Sequence, residues 1–245
     1  MSRKNLFRNN SPYVKEEVYR RRDLEQSERT MTVRGAVDKT ILLFAILLVA
    51  ATFAWQSGNP MWAIIGSIGG LVTVIINGFK LHLSPVLAPV IAAFEGLLVG
   101  AASFLIGGAY GGIVFQAASI TLAVLFVMLM IYKSGLIVVT DRFRTVILAS
   151  MGGIFIVYLL SFVLSFFGIS IPFLHSSGPI GIGISLFVVV IASMMLLVNF
   201  DFIERGEEME APEYMEWYGA IGVIITLVWI YIEILRLVAI FSGRD

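Results

Sequence analysis

Four ionisable residues lie within or at the ends of long apolar stretches of this 245-residue chain: Glu95, Asp201, Glu233 and Arg236. A charged side chain near the centre of a bilayer costs about 2.5–3.5 kcal/mol on insertion scales. Each of the four is therefore expected to face a bundle interior, a water-filled cavity or a charged partner. The chemistry that buried carboxylates offer is the binding of a proton or a cation.

Glu95 is the most central of the four residues. It lies nine residues into its apolar stretch, about 13 Å along a helix at the standard rise. Two interpretations stay open for this side chain. It is either a proton or cation site, or a protonated carboxyl group that hydrogen-bonds a neighbouring helix.

Asp201 lies at the end of its apolar stretch and precedes Glu204 and Arg205. It could pair with a basic residue at the end of another helix and close an inner gate, for which Lys80 is the candidate latch. The alternative is an interfacial aspartate that faces water.

Glu233 and Arg236 are spaced i, i+3, so they can reach one another on one helix. A neutralising pair is the simplest interpretation, although Arg236 could also extend to the interface or act as a second latch. The segment 204–216 is expected to be an acidic loop, either solvated, docked on the basic tail or collecting cations. Its acidic residues are Glu204, Glu207, Glu208, Glu210, Glu213 and Glu216.

The composition indicates the elements that must position these residues. Hydrophobic residues make up 58% of the chain and charged residues only 14%, against about 25% charged in soluble domains. An ordinary soluble protein and a disordered chain are excluded, and the absence of cysteine excludes disulfides. Seven stretches have the roughly 20 apolar residues that a spanning helix needs. They are residues 36–55, 61–79, 86–106, 113–132, 145–167, 180–202 and 217–241.

Lysine and arginine in the short loops predict the orientation, because positive charges favour the cytoplasmic side. With the N-terminus inside, the inner loops carry all five basic residues: Lys80, Lys133, Arg142, Arg144 and Arg205. Residues 1–35 are then a polar cytoplasmic tail and residues 36–245 a transmembrane domain. Within that domain, the Gly66/Gly70 and Gly96/Gly100 pairs predict close helix packing.

Several chemistries have no sequence support. The chain has no phosphate-binding loop, no HExxH and no GxSxG motif. His82 and His175 fall on opposite sides of the predicted membrane, so they cannot share a metal, and any metal ligand stays unknown. We therefore expect no catalytic residue, no cofactor and no enzyme. The run Arg20–Arg22 favours lipid headgroups over nucleic acid as its partner.

Specific stretches of the chain resemble the Bax-inhibitor/YccA family of multipass membrane proteins, and in particular a bacterial branch of it. The resemblance runs from about Met31 to Phe241. It is carried by Met31-Thr32-Val33, Ser84-Pro85-Val86-Leu87-Ala88-Pro89, Phe94-Glu95-Gly96, Tyr132-Lys133-Ser134-Gly135, Asp201-Phe202-Ile203-Glu204-Arg205-Gly206, Tyr214-Met215-Glu216-Trp217-Tyr218-Gly219-Ala220 and Glu233-Ile234-Leu235-Arg236.

The resemblance implies an all-α fold in which a central seventh helix is surrounded by two three-helix layers. It also implies a pH-dependent Ca²⁺ leak through aspartates on helices six and seven, with a basic latch on helix two. Asp201 is similar in position to the helix-six aspartate and Lys80 to the latch, whereas Thr226 replaces the helix-seven aspartate. The residues that could substitute for that aspartate are Glu95, Glu216 and Glu233.

These observations predict a multipass protein of the bacterial inner membrane that senses pH or passes cations through buried carboxyl groups. Its expected partners are the lipid bilayer and Ca²⁺ or H⁺. Other members of the family resemble regulators that bind a membrane protease. The alternative function is therefore a non-enzymatic regulator of such a protease or of a stress-response complex.

Overall fold

Seven long α-helices make up most of the part of the chain that the computed structural model describes, residues 29–108, 111–165, 167–168 and 178–243. Their bounds are α1 Val33–Ser57, α2 Met61–Phe79, α3 Ser84–Gly107, α4 Gly111–Ser134, α5 Asp141–Ser165, α6 Pro179–Glu208 and α7 Tyr214–Phe241. A single 3₁₀ turn, Leu81–Leu83, leads into α3. All seven are long and apolar enough to cross a membrane, which confirms the predicted all-α membrane fold and the number of spans.

The last helix is by far the most buried. In its most apolar 18-residue window, 72% of the residues of α7 are buried, against 11–39% for the other six helices. Helices α1, α3, α4 and α6 all pack directly against it. On one side of α7, α3 packs against both α1 and α2, and on the other side α6 packs against both α4 and α5. A polar side chain on α7 is therefore shielded from lipid.

Glycines allow α3 to approach its neighbours closely. A Cβ atom added at Gly66 of α2 would lie 2.7 Å from the backbone nitrogen of Leu98. One added at Gly100 would lie 2.8 Å from the carbonyl carbon of Ala51, and one at Gly96 would meet the backbone of α1 at Leu47. Only a residue without a Cβ fits such contacts, so the predicted role in packing is confirmed for these three glycines. It is wrong for Gly70, where an added Cβ would lie 3.6 Å from the Phe94 Cβ, an ordinary contact distance.

The loop between α6 and α7 is shorter than the sequence suggests. The prediction of an acidic loop over 204–216 is wrong, because α6 continues to Glu208 and α7 begins at Tyr214. The apolar run ends at Phe202, but the following glutamates and Arg205 favour helix intrinsically. Gly206 then packs against the Met31 sulfur. The acidic residues thus lie mainly on helix ends, where the backbone fixes their direction.

The helices alternate in direction, so one end of the bundle holds the starts of α1, α3, α5 and α7 and the ends of α2, α4 and α6. We call this end the charged face. Thr32 caps α1 there, because its hydroxyl accepts a hydrogen bond from the Gly35 amide at 2.9 Å. Residues 1–28 of the predicted tail lie outside the described residues, whereas residues 33–35 already belong to α1.

Candidate functional site

Asp201 forms the centre of a buried ion-pair cluster at the charged face. Helix α6 carries its side chain toward the start of α5, where Arg144 Nη2 donates to Asp201 Oδ2. Arg205, one turn further along α6, places its Nε 2.9 Å from the same oxygen. Asp201 is 8% exposed and Arg144 is 4% exposed. The interpretation of Asp201 as a water-facing aspartate is therefore wrong. The predicted pairing with a basic residue at the end of another helix is confirmed, with Arg144 as that residue.

Neighbouring polar contacts tie three helix ends to this cluster. The Tyr132 hydroxyl of α4 hydrogen-bonds Glu204 of α6, and Arg205 Nη2 donates to the Val139 carbonyl at 3.2 Å. Asp141 Oδ1 lies 3.9 Å from Arg144 Nη1. This Nη1 atom is buried and has no hydrogen-bond partner among the described residues. The ends of α4, α5 and α6 are thus held together through polar groups around one carboxylate.

Lys80 does not act as the partner of Asp201, which corrects the predicted latch. It is exposed at the end of α2, while the ion pairs of Asp201 within the described residues run to Arg144 and Arg205. Helix α2 packs against α3, and Asp201 lies between α5 and α6 on the other side of α7. Arg144 therefore occupies the position that the sequence interpretation gave to Lys80.

Glu216 joins the first turn of α7 to the start of α1. Its Oε1 accepts hydrogen bonds from the Thr32 amide at 2.7 Å and from the Thr32 hydroxyl at 3.0 Å. Its Oε2 pairs with Lys39, whose ammonium also lies 3.5 Å from Glu213 Oε1 and 5.4 Å from the centre of the Trp217 ring. Glu216 is 3% exposed. These contacts make Glu216 a link between α1 and α7.

The approach of α1 to α7 continues into the preceding segment. The Met31 amide donates to the Ala211 carbonyl at 2.7 Å, and the Glu213 amide to the Arg29 carbonyl at 3.3 Å. Thr30 and Pro212 form an antiparallel bridge. This short pairing lays residues 29–32 along the α6–α7 loop, so a fixed backbone surface forms there.

Glu95 lies apart from the other carboxylates. Its side chain points from α3 toward α2, where Oε1 would be 3.7 Å from a Cβ added at Gly70. It is half-buried and packs on the side of α7 opposite to Asp201. The two carboxylates therefore belong to separate regions of the bundle and do not form one joint site.

Glu233 lies in the far half of the bundle from the charged face. Its Oε1 accepts a hydrogen bond of 2.6 Å from the Tyr158 hydroxyl of α5. Its Oε2 is buried and has no hydrogen-bond partner among the described residues. Tyr158 thus links Glu233 of α7 to α5, and the pairing of Glu233 with Arg236 stays a prediction. Glu233 therefore gives α5 a second polar attachment to the bundle.

Sequence reasoning missed the polar link between α6 and α7. The Asn199 side-chain amide donates to the Gly222 carbonyl at 3.0 Å and to the Thr226 hydroxyl at 2.9 Å. Thr226 in turn donates to the Gly222 carbonyl at 2.8 Å. Thr226 of α7, at the position that the resemblance assigns to a second aspartate, is thus a neutral hydrogen-bonded group. Its partner Asn199 lies two residues before Asp201 on α6. An asparagine inside an apolar stretch is the signal that could have found it.

The described residues contain no group of three or more histidine, cysteine, aspartate or glutamate side chains arranged to hold a metal ion. His82 is exposed beside the start of α3, and His175 lies outside the described residues. A pair of carboxylates does face a single cationic group at the charged face, since Glu213 and Glu216 both lie against the Lys39 ammonium.

Six apolar helices and a buried central seventh helix, with carboxylates held at the helix ends, define a multipass membrane protein. The sequence matches the family described as Bax inhibitor 1 like over residues 11–243. The chain belongs to this family, which confirms the resemblance drawn from its motifs. No curated protein and no solved structure matches the chain.

Proposed function

We propose that this protein passes cations, Ca²⁺ among them, or responds to pH in the bacterial inner membrane, and that it is not an enzyme. The observation that carries the proposal is the buried pairing of Asp201 with Arg144 across the charged face. A carboxylate at this depth is costly unless it is paired. The pair therefore serves as a contact whose loss changes the packing of two helices.

Loss of the negative charge on Asp201 would release α5. When Asp201 takes up a proton, or when a cation occupies it, Arg144 and Arg205 lose their common counter-charge and repel one another. Few apolar contacts oppose this movement, because only 11% of the most apolar window of α5 is buried. A Cβ added at Gly152 or Gly153 would meet nothing within 4 Å, so the middle of α5 is loosely surrounded.

The Glu233–Tyr158 contact holds the other half of α5. The two attachments lie on either side of Gly152–Gly153, so the end near Arg144 can move while the end near Tyr158 stays in place. Movement of that end would open a path between α5 and α6 at the charged face. We assign the gate to Arg144 and Asp201, and we retain Lys80 and Arg236 as secondary basic groups outside it.

Ca²⁺ flux into proteoliposomes tests the gate. We expect wild-type flux to rise from mildly alkaline to mildly acidic buffer and Asp201→Asn to conduct equally at both. Arg144→Gln should raise flux in alkaline buffer, since it breaks the same pair. Glu208→Gln, at the exposed end of α6, is the matched control and should behave as wild type. Each variant is accepted only if its melting temperature shows that it is folded.

Two outcomes would remove the gate proposal. The first is a wild-type protein that passes no Ca²⁺ at either pH. The second is a folded Asp201→Asn variant whose flux keeps the wild-type dependence on pH. Arg144→Lys serves as a further check, because it keeps the positive charge and should keep the alkaline state closed.

A second function, regulation of a membrane protease or a stress-response complex, is favoured by a different observation. Residues 29–32 are fixed along the α6–α7 loop, beside exposed carboxylates such as Glu208 and Glu210. A fixed acidic surface suits a protein partner with basic groups. Crosslinking followed by purification should recover the same protease from wild type and lose it when Glu208 and Glu210 are both changed to lysine. Failure to recover any protease would speak against this function.

A further inference from the structure

A groove of about 610 Å³ opens at the charged face, between the start of α1 and the start of α7. Its charged and aromatic lining consists of Arg29, Asp38, Lys39, Glu213, Glu216 and Trp217. It lies apart from the Asp201 cluster, which is enclosed by α4, α5 and α6. The groove contains none of the residues of the gate proposed above.

The lining carries both signs of charge, so it is complementary to a ligand that carries both. Lys39 already shows how the groove holds an ammonium group, which lies against Glu216, 3.5 Å from Glu213 and 5.4 Å from the centre of the Trp217 ring. Carboxylates and an aromatic face together are a common environment for ammonium groups. Glu213, whose side chain is 38% exposed, is accessible to a second ammonium, and Arg29 and Lys39 offer positive charge to a phosphate.

The groove continues into the bilayer along α1. Leu42 forms its apolar end and is half exposed. One and two turns further along the same face, Ala45 and Val49 are also exposed. Tryptophan is enriched at the depth of lipid headgroups, and Trp217 lies one residue after the buried Glu216. A molecule in this groove would thus have its charged end among the side chains and its apolar end against α1.

We propose that the groove binds the headgroup of a phospholipid with a primary ammonium next to its phosphate, phosphatidylethanolamine. The ammonium would donate to Glu213 and Asp38, and the phosphate would lie near Arg29 and Lys39. Phosphatidylcholine carries the same charges, but its trimethylammonium has no N–H to donate. Phosphatidylglycerol has no ammonium. The groove should therefore select phosphatidylethanolamine over both lipids.

Native mass spectrometry of the purified full chain tests this selection. The protein is incubated with an equal mixture of the three lipids with identical acyl chains, and the lipids that stay bound are counted. We expect phosphatidylethanolamine to dominate. Glu213→Gln should lower its retention about tenfold, since a hydrogen bond to a charged group is lost. Asp38 is an exposed residue of the groove, so Asp38→Asn should also lower the retention of phosphatidylethanolamine. Glu208→Gln should leave this retention unchanged.

A second arm separates the lipid from its free headgroup. Phosphatidylethanolamine should raise the melting temperature of the wild type in detergent, and water-soluble phosphoethanolamine at the same concentration should not. The lipid proposal is overturned if the soluble headgroup stabilises the protein equally. It is also overturned if the three lipids are retained equally, or if folded Glu213→Gln and Asp38→Asn both retain phosphatidylethanolamine as wild type does.

Discussion

Replacement of Glu216 by alanine is expected to destabilise the protein by about 3–5 kcal/mol, because it breaks a buried ion pair by removing one partner. Glu216 is 3% exposed and accepts from the Thr32 amide, the Thr32 hydroxyl and Lys39. Without it, the Thr32 amide loses its acceptor, and Lys39 is left with the longer contact to Glu213 at 3.5 Å and with the Trp217 ring.

Glutamine at the same position separates charge from shape. Its side-chain carbonyl can still accept the hydrogen bonds from Thr32. What the variant loses is the negative charge that pairs with the Lys39 ammonium. Since a hydrogen bond to a charged group contributes about 1.5–3 kcal/mol, Glu216→Gln should lose about that amount and less than alanine. The double variant Lys39→Met/Glu216→Gln should lose less than the sum of its two single variants, because the singles remove the same interaction.

Unfolding in mixed detergent micelles, followed by tryptophan fluorescence, measures these losses. Glu208→Ala is the matched control, an exposed glutamate outside the groove that should change stability by at most about 0.5 kcal/mol. The role of Glu216 as a link between α1 and α7 is refuted if Glu216→Ala is no less stable than Glu208→Ala. It is also refuted if Lys39→Met and Glu216→Gln are strictly additive.

Three further variants test other parts of the bundle. Gly100→Val should lower the melting temperature sharply in a detergent melt, because its side chain would overlap the backbone of α1; Gly152→Val, in open surroundings, is its control. Tyr158→Phe should cost about 1–3 kcal/mol of unfolding free energy, since it leaves the buried Glu233 carboxylate without its hydrogen bond. Thr226→Asp should steepen the pH dependence of Ca²⁺ flux, because it adds a carboxylate beside Asn199; an unchanged profile would show that this position is not part of the cation path.

The bounds of a helix were predictable where local signals, such as a proline or a turn, mark both of its ends. Helix α2 begins at Met61 and ends at Phe79, as predicted, because Pro60 precedes it and the chain turns at Lys80. The prediction failed at the end of α6, since the change from apolar to acidic residues after Phe202 marks the end of the membrane stretch and leaves the helix intact to Glu208.

The candidate site was predictable only in part. Asp201 was identified because a carboxylate in an apolar stretch needs a partner, and that partner was expected to be Lys80. The contact with Arg144 joins residues 57 positions apart, and it depends on the rotation of α5 and α6 about their own axes. A stretch that is apolar on all its faces does not indicate which face of the helix turns toward its neighbours. The sequence therefore placed Arg144 in an inner loop and gave no partner for it.

Local composition was enough to predict that the chain lies in a lipid bilayer, how many times it spans it, and which few residues lipid does not tolerate as isolated charges. These follow from local composition, since each stretch of about 20 apolar residues is a spanning helix whatever the other helices do. The tertiary structure decided the partners: Arg144 for Asp201, Lys39 and Thr32 for Glu216, Tyr158 for Glu233, and α2 as the neighbour of Glu95. The physical reason is that partners come from different helices, and their meeting depends on how those helices pack around α7.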